Sequence, residues 1–134
     1  MHIPAKIPGL KFITVLMGIY AAIWISLEGA LWRVMLMGVG VTAVSLLHLL
    51  QKYGGGRVIS WPRWLGLTAI IGLLFGLGSS LLTLVFMAIK TGLHAHGPEF
   101  TLQEIQWVSQ QTPLWAAVGL LIGLGLGMLT ARQS

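Results

Sequence analysis

Residues 64–89 read WLGLTAIIGLLFGLGSSLLTLVFMAI and contain no charged side chain. A helix needs about 20 consecutive, predominantly apolar residues to cross the hydrocarbon core of a bilayer, which is roughly 30 Å thick. The run is therefore long enough to cross a membrane with some tilt. Three further apolar runs occur at about 10–27, 30–50 and 113–130. Together they predict an all-α membrane protein, with four transmembrane helices in a single domain of residues 1–134.

The composition agrees with this prediction. Of the 134 residues, 56% are hydrophobic and only 8% are charged, whereas a soluble domain usually carries about 25% charged residues. The net charge is +5, and the cations lie between the apolar runs, where they meet anionic lipid head groups. Membrane lipids are therefore expected as partners, and nucleic acid is not. The chain has no cysteine, which excludes disulfides and thiol chemistry.

Short connections predict that the four spans form two hairpins. Only Glu28 and Gly29 separate the first two apolar runs. A single helix over 10–50 would be about 60 Å long, twice the hydrocarbon thickness, so a tight turn is expected instead. The next connection, residues 51–63, contains the triple glycine 54–56, which breaks a helix and predicts a loop between the hairpins.

The third connection, residues 90–112, is the only sizeable polar segment. Thr101 and Glu104 match a capping box, in which each side chain satisfies a free amide at the start of a helix. The apolar residues that follow fall on one face: Leu102, Ile105, Trp107 and Val108. This pattern predicts a short helix over about 101–111 that lies in the membrane interface. Pro113 is expected to open the last span as its first-turn proline.

The distribution of cations predicts the orientation. Two cations, Arg33 and Lys90, lie near one side of the predicted bundle, and six lie on the other: Lys6, Lys11, Lys52, Arg57, Arg63 and Arg132. The positive-inside rule places the six in the cytoplasm. We therefore expect cytoplasmic N- and C-termini, with residues 90–112 on the opposite side. A bacterial inner membrane or a thylakoid-type membrane is the expected location.

Small residues recur at four-residue spacing in three of the spans. They are Gly18, Ala22 and Ser26 in the first, Gly72, Gly76 and Ser80 in the third, and Gly119, Gly123 and Gly127 in the fourth. Such residues share one helix face and let two backbones approach closely, as in GxxxG packing. The simpler interpretation is that they pack the four-helix bundle. The alternative interpretation is that one stripe faces outward and docks another subunit. Span four is the candidate, because Gly125 widens its face of small residues.

Two sets of polar residues are candidates for chemistry. His94, His96 and Glu99 offer two imidazoles and a carboxylate, which are ligands for zinc or copper. The competing interpretation is a plain polar loop. Glu28 and Arg33 flank the first turn and form either a structural ion pair or a site with a coupling acid. We find no catalytic motif, so an enzyme is not expected, and no cofactor is predicted beyond contacts with lipid.

Three functions are compatible with these patterns. The first is a small accessory or scaffold subunit that packs against other transmembrane helices in a larger protein complex, as a hetero- or homo-oligomer. The alternative is a small homo-oligomeric transporter or channel, in which Glu28 would lie in a water-filled cavity. The second alternative is a metal-handling membrane protein that uses the loop of His94 and His96.

Overall fold

The structure of the protein, a computed structural model, describes residues 1–27, 29–93 and 99–133. Within these ranges the chain forms four helices: α1 (Leu10–Ser26), α2 (Leu31–Gly54), α3 (Trp61–Leu93) and α4 (Leu102–Ala131). The same ranges contain no strand, only an isolated antiparallel bridge between His2 and Val58. The all-helical class predicted from the sequence is confirmed.

Three of the helices are long and apolar enough to cross a membrane. They are α2 with 24 residues, α3 with 33 and α4 with 30. α1 is a shorter apolar helix of 17 residues. At 1.5 Å per residue, α3 is about 50 Å long, well beyond the roughly 30 Å of a hydrocarbon core. α3 extends past the predicted span of 64–89 at both ends.

The helix boundaries follow from local chemistry. Gly9 precedes α1 with a φ of 74°, a left-handed conformation that glycine adopts without a steric penalty. α2 ends in the triple glycine, where Gly56 also has a positive φ, of 78°. At the start of α4, the Thr101 hydroxyl accepts from the Glu104 backbone N–H at 3.1 Å, and the Glu104 carboxylate accepts from the Thr101 N–H at 2.8 Å. The predicted capping box is therefore present.

α4 differs from the prediction because it does not break at Pro113. Instead of a short helix over about 101–111 followed by a separate span, one helix continues from Leu102 to Ala131 with Pro113 inside it. Contacts with α3 hold the segment before the proline in line: Val108 is completely buried, and the Thr112 hydroxyl lies 2.6 Å from that of Ser80. Tertiary packing therefore overrides the tendency of proline to interrupt a helix.

Consecutive helices run antiparallel, with α3 packed between α2 and α4. Trp64 near the start of α3 donates from its indole N–H to the hydroxyl of Thr130 at the end of α4, at 2.8 Å. The start of α1, the end of α2, the start of α3 and the end of α4 therefore share one end of the molecule, which we call the basic end. It carries the exposed cations Lys6, Lys11, Lys52, Arg57, Arg63 and Arg132.

α3 and α4 approach so closely that their backbones touch. Cβ atoms built on Gly72 and Gly119 would each clash with the backbone carbonyl oxygen of the other residue. Gly76 similarly faces the carbonyl of Trp115, and Gly123 faces that of Thr68. Even a methyl group at these positions would force the two helices apart.

α1 packs less tightly than the other helices. Its Thr14 hydroxyl lies 2.9 Å from the imidazole Nε2 of His48, and the Tyr20 hydroxyl donates to the carbonyl of Arg33 at 2.8 Å. Between these contacts a cleft of about 390 Å³ opens along α1 and α2, lined by apolar residues such as Met17 and Leu47. α1 is therefore joined to α2 by a few contacts and not by a continuous packed face.

The N-terminal segment is tied to the loop between α2 and α3, which the sequence did not predict. The backbone N–H of Ile3 donates to the carbonyl of Arg57 at 2.9 Å, and that of Gly56 donates to the carbonyl of Ile3 at 2.8 Å. Ile3 is buried, with 2% of its surface exposed. The backbone N–H of Ile7 also donates to the side-chain oxygen of Gln51 at 2.7 Å. These bonds fix residues 1–7 across the basic end.

The glycine contact predicts the effect of adding one methyl group. Gly72→Ala or Gly119→Ala should lower the free energy of unfolding in mild detergent by about 1–3 kcal/mol, the usual cost of overpacking. Gly125→Ala is the matched control, because a Cβ there meets nothing within 4 Å. Alanine favours helices by up to about 1 kcal/mol over glycine, so the control should be neutral or stabilising. Similar losses in all three variants would contradict the close approach.

Candidate functional site

The residues of the predicted metal site are only partly described by the structure. His94 and His96 lie outside the described residues. Glu99 is described, and its Oε2 accepts from the backbone N–H of Gly29 at 2.8 Å. Within residues 1–27, 29–93 and 99–133 no group of three metal-ligating side chains occurs. The metal site therefore stays a prediction.

The predicted pair of Glu28 and Arg33 also stays a prediction, because Glu28 lies outside the described residues. Arg33 is near the start of α2, where its guanidinium carbon lies 5.2 Å from the centroid of the Trp32 ring. Its backbone carbonyl accepts the hydroxyl of Tyr20. Arg33 therefore lies where α1 and α2 meet, at the end opposite the basic end.

A buried lysine is the unexpected feature of this end. Lys90, in the last turn of α3, has 0% of its surface exposed. Its ammonium group donates to the backbone carbonyl of Trp24 in α1 and lies 4.4 Å from the centroid of the indole ring. A cation over an aromatic face is attracted by the ring, most strongly where water is excluded. Lys90 therefore fastens α3 to α1.

Two other charges act on the Lys90 ammonium. The carboxylate of Glu99 attracts it, and the guanidinium of Arg33 repels it. A buried charge is expensive unless it is paired and hydrogen-bonded. The Trp24 carbonyl, the indole ring and the Glu99 charge together supply that compensation.

The lysine lies beside the main apolar core. The Trp24 ring meets Phe86 edge-on, with centroids 5.9 Å apart and planes at 71°. Further buried residues complete this core: Val34, Met37, Met87, Phe100 and Val108. Within the described part of the chain nothing accepts a hydrogen bond from the Trp24 indole N–H, although it is buried. The Trp24 ring is thus held by the Lys90 ammonium over its face and by packing against Phe86. The backbone carbonyl of Trp24 also accepts from Lys90.

Hydroxyl groups line the inner faces of α2 and α3. Those of Thr42 and Thr83 donate to the carbonyl four residues earlier, at 2.6 Å to Gly38 and 2.7 Å to Ser79. Serine and threonine often bond back to their own helix in this way. The hydroxyl of Ser79 is buried and has no partner among the described residues. These groups form no catalytic arrangement of the kind that needs a base beside a nucleophile.

The three small-residue stripes lie in two different settings. Those of α3 and α4 face each other, and their members Gly72, Gly76, Ser80, Gly119, Gly123 and Gly127 are all buried. The stripe of α1 faces outward instead: Gly18, Ala22 and Ser26 are exposed, and a Cβ at Gly18 would meet nothing within 4 Å. The outward stripe is thus on α1, not on span four as the sequence suggested.

The sequence contains a periodic signal for the buried lysine. Its charge alone predicts a position near the water boundary. Lys90 continues the buried face of α3, however, at the alternating three- and four-residue spacing of one helix face. That face consists of Gly76, Ser80, Thr83, Met87 and Lys90. The periodicity alone would have placed Lys90 inside the protein, but nothing local identifies Trp24 as its partner.

A double-mutant cycle tests the lysine–indole contact. With Lys90→Met and Trp24→Leu, the coupling energy should be about 2 kcal/mol, as expected for a desolvated cation over an indole. Lys52 and Tyr53 are the matched control, because they form a similar pair at 5.3 Å in which both side chains are exposed. Their coupling should be about 0.5–1 kcal/mol. Unfolding in detergent measures both cycles, and equal coupling energies would contradict a special role for the buried pair.

Comparison with known proteins found no matching protein-family model, no matching curated protein and no matching solved structure. Three features of the described residues bear on function. These are the apolar surfaces of the long helices, the outward face of α1 and the fixed chain segments at the basic end.

Proposed function

We propose that the chain is an integral membrane protein that serves as an accessory or scaffold subunit of a larger membrane complex. In this proposal the four helices cross the bilayer as two hairpins and pack against transmembrane helices of other subunits. Three long apolar helices support the membrane location. So do their exposed side chains, which are largely apolar along their length, as at Leu121 with 67% of its surface exposed and Leu129 with 61%.

The outward face of α1 is the observation that carries the accessory role. Gly18, Ala22 and Ser26 are exposed at four-residue spacing, while the equivalent stripes of α3 and α4 are used inside the protein. In lipid the hydrophobic effect does not drive helices together, so a small-residue face that permits close backbone contact is a main source of association energy. α1 therefore offers another helix the kind of contact that α3 offers α4.

The buried charge at Lys90 is compatible with this role. A coupling group needs access to water or to a substrate. Lys90 is fully buried and is engaged by Trp24, so its arrangement is that of a structural anchor. The proposal accordingly assigns Lys90 to assembly.

We further propose that the basic end faces the cytoplasm of a bacterial inner membrane or the equivalent side of a thylakoid-type membrane. The six exposed cations at that end support this orientation through the positive-inside rule. Residues 90–112 would then lie on the opposite side. The first turns of α4 would reach the interface there, with Trp107 partly exposed at 41%.

Introduced cysteines test the orientation, because the chain has no cysteine of its own. Val58→Cys and Gln103→Cys place exposed thiols at the two ends of the molecule. In intact cells a membrane-impermeant maleimide should label the cysteine at position 103 and leave the one at 58 unlabelled until the cells are opened. The reverse pattern would overturn the orientation, and labelling of both in intact cells would contradict the membrane location.

Co-purification tests the accessory role. Gly18→Leu should remove at least nine-tenths of the partner subunits that copurify from the native membrane in mild detergent, because the larger side chain prevents close helix contact. Its own fold should be unaffected, since a side chain at residue 18 enters open space. Gly125→Leu is the matched control: this glycine in α4 is also exposed, with nothing within 4 Å of a Cβ.

Two results would overturn the accessory role. One is recovery of the unmodified chain only as a monomer or a homo-oligomer. The other is unchanged partner recovery with Gly18→Leu together with its loss in Gly125→Leu, which would transfer the docking surface to α4.

A further inference from the structure

We propose that a groove between α2 and α3 at the basic end binds a phospholipid with an anionic head group. The phosphate would bind at Arg57, and one acyl chain would lie along the groove. The inference requires the membrane location proposed above and is independent of the accessory role. The groove has a volume of about 340 Å³, and its apolar walls include Leu46, Leu49, Leu67, Ile70 and Leu74.

The cation at the mouth of the groove is held in place by its backbone. The N–H of Arg57 donates to the carbonyl of Gly54 at 3.2 Å, and its carbonyl accepts from the N–H of Ile3 at 2.9 Å. The preceding Gly56 adopts the positive φ that the turn requires. The exposed side chain of Arg57 itself lines the groove. Little conformational freedom of the backbone would therefore be lost when an anion binds.

Two further polar residues suited to a phosphate, Lys52 and Tyr53, precede this cation in the chain. Tyr53 also lines the groove, with 61% of its surface exposed, and the Lys52 ammonium lies 5.3 Å from its ring. Arginine binds phosphate oxygens through paired, charge-assisted hydrogen bonds. In a zwitterionic head group, the cation beside the phosphate cancels part of the electrostatic attraction to the protein's cations. Of the described carboxylates, Glu99 and Glu104 both lie at the opposite end, so neither repels an anion here.

The dimensions of the groove favour an acyl chain over a transmembrane helix. Along α2 it extends from Gly54 to Leu46, about 12 Å, which is close to the roughly 15 Å of hydrocarbon in one leaflet. Ile3 and Ile59 line the groove at the basic end, where Ile3 packs against Gly54. A helix from another subunit, about 10 Å in diameter, would need a groove that crosses the whole hydrocarbon core of roughly 30 Å.

The test compares two lipids with identical acyl chains, anionic phosphatidylglycerol and zwitterionic phosphatidylcholine. Native mass spectrometry of the full chain after gentle delipidation should show one tightly retained phosphatidylglycerol per protein. Lys52→Gln with Arg57→Gln should reduce the preference for the anionic lipid about 30-fold, since each cation near a membrane surface contributes a factor of about five. Arg63→Gln with Arg132→Gln removes the same charge from the same end without altering the groove and should leave most of the preference intact.

A second variant tests the groove separately from the charge. Ile70→Trp should reduce retention of both lipids at least tenfold, because Ile70 lines the groove and its half-exposed side chain can be enlarged without disturbing the interior. Leu121→Trp is the control, on the exposed face of α4 and outside the groove. Equal retention of the two lipids, an equal effect of both charge variants, or a cross-link from Ile70 to another protein that excludes lipid would each overturn the proposal.

Discussion

The close contact between α3 and α4 at Gly72 and Gly119 is the constraint on which the rest of the structure depends. Backbone contact at the centre brings together the residues above and below it, where Ser80 bonds to Thr112 and Trp64 bonds to Thr130. Since both ends of the pair are then fixed, α4 passes Pro113 without a break. The same contact brings Val108 into the core beside α3. A larger residue at the centre would disturb all of these interactions together.

The second constraint is electrostatic. A lysine ammonium cannot be buried without compensation, and at Lys90 the compensation comes from a helix distant in sequence. The carbonyl and ring of Trp24 satisfy it, and the Glu99 charge adds to their effect. Glu99 in turn accepts from the backbone of Gly29. One buried charge thus links Trp24 of α1 and the Glu99 carboxylate, with its partner Gly29, around the end of α3.

The sequence predicts the structure where the signal is local or periodic. Apolar runs located the helices, and the capping box of Thr101 and Glu104 identified the start of α4. The structure departs from these predictions where a distant contact decides the outcome. Nothing near Pro113 shows that α3 will hold the helix straight, and nothing in residues 1–7 shows that Ile3 will pair with Arg57. Which small-residue stripe faces outward is a similar case, because identical spacing in α1 and α3 leads to opposite environments.

α1 is attached to the rest of the protein near both of its ends and makes few contacts between them. The bonds of residues 1–7 hold it at the basic end, and Lys90 holds it through Trp24 at the other. Between these two attachments, a cleft separates much of α1 from α2. A force applied near Gly18 would therefore bend the helix and strain both attachments, one beside Arg57 and one beside Glu99. Through this helix, a contact midway along α1 is mechanically connected to the contacts at both ends of the molecule.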